Sequence, residues 1–295
     1  MAAPTYGGQA VVEGVMIRGA RAMAVAVRRP DGSIAYMSQR LGGIYTGAVR
    51  RVPLLRGMIV LWETLALGMQ ALSWSAAMAA DEVDESGNAK PIGAGAWVGI
   101  AFSMVFGLVL FFLLPVLGTA WLAQFMPNWA VVSLEGLIRL GLLIGYVWLI
   151  GRAEDIQRVF QYHGAEHMTI HAYEQDRELT VQAIRRFPKE HPRCGTSFLL
   201  TVGVVAVFVF ALLGTPPLWW RITSRIVLVP LIAAISYEAI RFAGFHYDKP
   251  IVSWLFAGNI ALQKLTTRVP DDEQIQVAIA SLQRAVEADT RASAI

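Results

Sequence analysis

The sequence predicts a mainly α-helical, polytopic membrane protein with about four transmembrane helices, an interfacial helix and a small cytoplasmic β-containing N-terminal region. Three observations carry that prediction. Charged residues make up 16% of the 295-residue chain and hydrophobic residues 55%, with a mean hydropathy of +0.49, whereas a soluble domain carries about 25% charged residues. No Asp, Glu, Lys or Arg occurs over 91–134 or 195–220, and both runs exceed the roughly 20 residues that cross a hydrocarbon core. With both termini cytoplasmic, the inside segments hold 22 of the 25 Lys and Arg, the bias that places basic loops inside.

The elements follow in order. Residues 1–53 read as a cytoplasmic β-rich region, with alternating runs Ala10–Ile17 and Met23–Arg28 set apart by Gly19 and by the turn signal Pro30-Asp31-Gly32. Residues 54–80 are apolar enough to resemble a span, but crossing would export seven Arg of residues 1–53 against Glu13 and Asp31. They are therefore expected as an interfacial or partly buried helix. The acidic stretch 81–94, with Gly87-Asn88, reads as a linker.

Residues 95–151 hold two spans, near 95–115 and 131–151, with Pro115 expected to end or kink the first. Residues 152–195 form a cytoplasmic helix and loop. Residues 196–241 hold two more spans, 196–214 and 222–241, the second weakened by Arg225, Pro230 and Glu238. Residues 242–295 form a cytoplasmic C-terminal region whose last helix starts at Pro270-Asp271-Asp272 and shows Ile275, Ile279, Leu282 and Val286 at helical spacing. The expected location is the inner membrane, with no cleavable signal peptide and no inverted repeat. Its expected partners are the lipid bilayer and other membrane proteins. No nucleic-acid partner is expected: the net charge of +3 is no argument for one, because arginines flanking spans account for it. One cysteine, Cys194, excludes an intrachain disulfide.

The chemistry gathers in 152–195, which holds four of the five histidines. In a helix running from Glu154, His163, Glu166, His167, His171 and Glu174 fall within about 140° of one another. His163 and His167 have the i, i+4 separation at which two imidazoles share a metal, and H-x-x-E-H is the reversed zincin order. In that reading the histidines bind a divalent metal, zinc for preference, and Glu166 is the catalytic base. Candidates to complete the sphere are His191 and Cys194, with His171 and Glu174 as further donors. The bland alternative is a hydrogen-bonded juxtamembrane helix. Cys194 as a nucleophile, and a functional Glu238 at membrane depth, are weaker readings. Glu63 with Arg56 and Glu135 with Arg139 read as compensating pairs. No phosphate-cradling or α/β-hydrolase motif occurs.

The segments Gly8–Gly19, Tyr162–His167 and His191–Thr196, together with Ser236-Tyr237-Glu238 and the C-terminal stretch from Thr266, resemble the YqhQ-like family of bacterial membrane proteins over nearly the whole chain. The resemblance implies a domain of unknown function, described as a predicted metal-dependent enzyme. In the first of these motifs, Gly8, Gly14 and Gly19 are expected to permit tight turns, and Glu13 to face the histidine loop or to form a salt bridge with Arg18 or Arg21. Two functions follow as expectations. One is a membrane-anchored zinc enzyme, a hydrolase for preference; the other is a non-catalytic assembly or translocation-associated factor with a structural metal site. Metal transport ranks below both, since the spans offer few polar ligands.

Overall fold

The computed structural model describes residues 6–47, 49, 52–84, 93–214 and 216–293. The start of the chain is an antiparallel meander, β1 (Gly7–Val11), β2 (Gly14–Arg18), β3 (Ala22–Arg28) and β4 (Ile34–Arg40), in the order β1-β2-β3-β4. The run Ala10–Ile17 is thus two strands and not one. Glu13 takes φ 51° and turns the chain between them. The turn expected at Pro30-Asp31-Gly32 forms, with Gly32 at φ 84°.

Both faces of the sheet are covered, which is why Met23–Val27 is buried without alternation. On one face Val15, Ile17, Ala24 and Ala26 pack against α6 (Glu154–Glu174) and α13 (Asp272–Ser293). On the other, Val11, Met16, Met23, Val25 and Val27 meet Leu67, Ala71 and Met78 of α2 (Leu55–Ala79). A short α1 (Gly43–Thr46) joins β4 to α2. Helix α2 is therefore half a sheet cover. Its first turns pack instead on α10 (Val229–Phe245), where Gly57 lies against Ala234. The expected linker over 81–94, including Gly87-Asn88, lies mostly outside the described residues.

Three helical runs among the described residues are long and apolar enough to cross a membrane: Trp97–Gln124, Asn128–Ile150 and Thr196–Leu213. The first comprises α3 (Ala94–Leu108), a π-helical turn (Val109–Leu113), α4 (Leu114–Ala120) and a 3₁₀ turn (Trp121–Gln124). Pro115 does not end it: the missing N–H falls in the first turn of α4, after the wider turn has loosened the ladder. The second run is α5 (Asn128–Ile150) and the third α8 (Thr196–Leu213).

The region expected as a fourth span divides into α9 (Leu218–Val227) and α10, bent by 48° just before Pro230. Counted as one span, the pair makes four. Two short helices not anticipated from the sequence, α11 (Pro250–Leu255) and α12 (Ala257–Thr266), follow α10, and α12 packs on α8 and α5. The remaining short helix, α7 (Val181–Ile184), lies between α6 and the His191 loop. Helix α13 starts with a reciprocal cap, Asp271 Oδ1 accepting the Gln274 N–H and Gln274 Oε1 accepting the Asp271 N–H. Ile275 and Leu282 of its predicted apolar stripe are fully buried.

Candidate metal centre

Helix α6 extends from Glu154 to Glu174 without a break, so His163, Glu166, His167 and His171 share the face that meets two non-helical segments. One is 189–194, leading into α8. The other, 266–268, leaves α12, and its Arg268 N–H donates to the Phe160 carbonyl 2.8 Å away. Gly164 makes that crossing feasible, because a Cβ there would collide with the Arg268 carbonyl oxygen.

These segments fix the histidine rings. His163 Nδ1 lies 2.8 Å from the Thr266 carbonyl and His167 Nδ1 2.6 Å from the Lys189 carbonyl. A carbonyl can only accept, so both Nδ1 atoms carry a proton, and in the neutral rings both Nε2 atoms present lone pairs. His163 Nε2 faces Cys194 Sγ at 3.2 Å. Cys194 is buried and its sulfur also receives the Thr196 N–H at the start of α8. The donor atoms of His163, His167 and Cys194 all lie within 4.8 Å of one another.

Glu166 is 4% exposed, and its Oε2 sits 3.4 Å from His167 Nε2. Burial pushes its pKa up, against the pull of His163, of His191 and of a hydrogen bond from the Gly8 main chain. That hydrogen bond brings in β1: Gly8 approaches so closely that a Cβ would touch Glu166 Cγ. A carboxylate oxygen and an imidazole lone pair at this distance are two acceptors, so a proton or a cation must lie between them. The donor set fits a divalent metal of the zinc class, for which N and S donors around a tetrahedral ion stand about 3.5 Å apart.

The other predicted donors are placed apart. His191 joins His171 and Glu174, whose donor atoms likewise lie within 4.8 Å of one another, and not the first trio. The two groups adjoin, the His167 and His191 ring centroids being 5.7 Å apart. The second is already internally satisfied: His191 Nδ1 accepts the Arg193 N–H, leaving Nε2–H to donate to Glu174 at 3.3 Å. Glu174 is also paired with Arg193, and His171 Nε2–H donates to the Glu190 carbonyl. Burial lowers the pKa of His167 and His191 and brings that of His171 to about 4.

Glu13 and Glu238 stand outside both groups. Glu13 pairs with Arg158 and accepts from the Tyr162 hydroxyl, so its partner is neither Arg18 nor Arg21. Glu238 pairs with Arg56 across α2 and α10, and Glu63 with Arg18, so Arg56 and Glu63 are not each other's partner. Gly8, Gly14 and Gly19 serve close approach; none takes a positive φ, which falls to Glu13 instead.

Sequence reasoning missed the residues that hold the rings. Gln263, fully buried on α12, accepts the His191 N–H at 2.8 Å and donates to the His191 carbonyl at 2.9 Å. Thr266 and Lys189 act through main-chain carbonyls, for which side-chain identity gives no signal. Gly164, in the middle of the H-x-x-E-H motif, was the one legible hint.

Fold and site together define a mainly helical protein with a His/Glu/Cys cluster between the end of α5 and the start of α8, covered by a four-stranded sheet. The chain belongs to the family described as protein of unknown function DUF1385, which matches residues 52–288. It is 38% identical over 289 residues to the uncharacterized protein YqhQ of Bacillus subtilis (strain 168), covering 94% of this chain and 91% of that protein. No solved structure matches the chain.

Proposed function

We propose that the chain is a multi-pass inner-membrane protein that holds a divalent metal, zinc for preference, at His163, His167 and Cys194 on the cytoplasmic side, with Glu166 as the base of a hydrolytic reaction. The carrying observation is that both histidines spend Nδ1–H on main-chain carbonyls and turn Nε2 toward Cys194. A carbonyl accepting from the far ring nitrogen is what orients metal-ligating imidazoles. The membrane reading is supported by the apolar helical runs and by their outward side chains, such as Val98, Phe102, Phe208 and Leu212.

A metal held by these three groups would supply Lewis acidity and acidify a water molecule. The chain's own contribution is a carboxyl beside the trio. Glu166 is not one of the three donors, so its carboxylate can accept a proton from such a water, and burial strengthens its hold on that proton. Gly8 holds it in place through the main chain.

A second reading has its own support. His167 is 2% and Cys194 5% exposed, and the trio ties α6, the 189–194 segment and α8 together. A site of that kind staples a fold, and the protein is then a non-catalytic assembly or translocation-associated factor.

Elemental analysis of the purified full chain tests the shared premise: the expected metal is lost in His163→Ala, His167→Ala and Cys194→Ser and kept in Glu166→Gln. Unchanged metal content in either histidine variant would sink the site. Cobalt loading separates the two readings. Azide shifting the visible bands of the cobalt protein shows an open coordination position and supports the enzyme; bands that azide leaves unmoved support the staple.

A further inference from the structure

A cavity of about 660 Å³ opens where α5 ends, lined by Arg152, Lys189, Lys264 and Arg268. Two amides, Gln157 and Gln161, add polar groups, and no carboxylate lines it. Of the four cations only Lys189 has an acidic partner among the described residues, Glu190 at 3.1 Å. Arg152 lies over the Trp148 ring, 3.2 Å from its centroid, and Arg268 donates to the Gly151 carbonyl. Both guanidinium groups are therefore fixed at the mouth while keeping donors unused. Lys264 has no hydrogen-bond or ion-pair partner among the described residues and is exposed.

One side of the cavity is apolar. Val147 and Trp148 belong to the last turns of α5, and Leu265 and Val269 face them. Trp148 is 54% and Val269 71% exposed. The cavity thus joins a cationic mouth to the end of a helix long and apolar enough to span. Its volume is in the range of sites for whole small molecules, on the order of 300–1,000 Å³, and far exceeds what one inorganic phosphate fills. Basic pockets at the cytoplasmic ends of spans hold anionic lipid headgroups by this combination.

We propose that this cavity binds the phosphate-bearing head of an anionic lipid, with the acyl chains lying along the exposed end of α5. The site is one peptide layer from the candidate metal centre. Lys189 lines the cavity with its side chain and holds His167 with its carbonyl, and its Nζ donates to Thr267, the neighbour of the carbonyl that holds His163. Headgroup binding therefore bears on the two segments that orient the rings. The proposal rests on the reading of α5 as a membrane span, and not on the metal.

The test is native mass spectrometry of the detergent-purified full chain offered phosphatidylglycerol, phosphatidylcholine, inorganic phosphate or glycerol 3-phosphate. Expected is retention of phosphatidylglycerol over phosphatidylcholine, roughly tenfold weaker in Lys264→Glu, as for loss of a charge-assisted contact, with no displacement by the soluble phosphates. Lys264 is exposed and unpartnered, so this variant leaves folding intact; Lys264→Gln, with an intermediate loss, controls for the introduced carboxylate. Equal retention of both lipids, or no effect of Lys264→Glu, overturns the proposal. Binding of glycerol 3-phosphate as strong as that of the lipid overturns it in favour of a soluble ligand. Whether the chain needs detergent for extraction tests the span separately, so a detergent-requiring protein without lipid preference condemns the site alone.

Discussion

The main chain at Arg268 crosses α6 directly over Gly164, one residue from His163, with no room for a methyl group between the two backbones. The contact brings the Thr266 carbonyl to 2.8 Å from His163 Nδ1 and so sets which ring nitrogen faces Cys194. The Gly164→Ala variant must push the segment away. We expect it to cost about 1–3 kcal/mol, as overpacking does, and to lower metal occupancy although no proposed ligand is changed. Thermal unfolding with elemental analysis checks both; wild-type occupancy in a destabilised variant would separate the crossing from the site.

Asp289 ties the end of the chain to its beginning. Its carboxylate accepts the main-chain N–H groups of Ala20, Arg21 and Ala22 at 2.7–2.8 Å, in the turn between β2 and β3. Gly19 leaves the space, since a Cβ there would strike Asp289 Oδ2. Asp289→Ala strands the buried Ala22 N–H, while the exposed Ala20 and Arg21 can turn theirs to water. A loss of about 1–3 kcal/mol is expected from the unpaired buried donor, with proteolysis starting at the sheet. Limited digestion that cuts both proteins alike would contradict it.

These two contacts show where sequence legibility stopped. The helix from Glu154 was readable because its polar face repeats at helical spacing, and the C-terminal helix because Pro270 and Asp271 announce it and Ile275, Ile279, Leu282 and Val286 continue it. The alternation of residues 10–17 was readable as strand but hid a hairpin, because the turning residue is Glu13, a type that rarely takes positive φ. For the site, spacing put His163, Glu166 and His167 on one face. Assigning His191 to a separate group with Glu174 needed the course of the 189–194 loop, and Gln263, which clamps that loop, lies 72 residues away in the chain. Ion-pair partners were the least legible: Arg56 meets Glu238 and Arg18 meets Glu63 through tertiary packing alone.

Stability of the metal-free protein depends on pH with a sign fixed by burial. Burial holds the His167, His171 and His191 pKa values below the ordinary 6.5, His171 at about 4. Above 6.5 neither folded nor unfolded chain charges these rings. As pH falls below it the unfolded chain takes up protons first, so stability is lost down to the folded values. Glu166 acts oppositely: its raised pKa penalises the folded state as pH climbs above the ordinary carboxyl value of 4.5. Denaturant midpoints with chelator present should fall between about pH 7 and pH 5, and Glu166→Gln should raise the midpoint more at pH 7 than at pH 5. A flat profile in Glu166→Gln, where the opposing carboxyl is gone, would show that the rings take up protons as readily in the folded as in the unfolded chain.

The strongest single loss is expected inside the apolar helices. Glu135 of α5 is 1% exposed and accepts from Arg139 at 2.9 Å, Arg221 at 2.9 Å and Arg225 at 2.9 and 3.0 Å. One carboxylate thus serves three guanidinium groups. The remaining charge is spread over other acceptors: Arg221 also reaches Thr119, and Arg139 donates to the Phe111 carbonyl within the π-helical turn. Arg225 in turn lies over the Phe210 ring, 4.0 Å from its centroid. Glu135→Gln removes the only negative charge in this group and leaves three buried cations. A loss of about 3–5 kcal/mol follows for a broken buried pair, seen as a collapsed unfolding midpoint and aggregation in detergent. Adding Arg225→Gln to Glu135→Gln removes one of the stranded cations, so the double variant should be more stable than Glu135→Gln alone. A double variant no more stable than the single would show that Arg225 is held by its ring contact and not by the carboxylate.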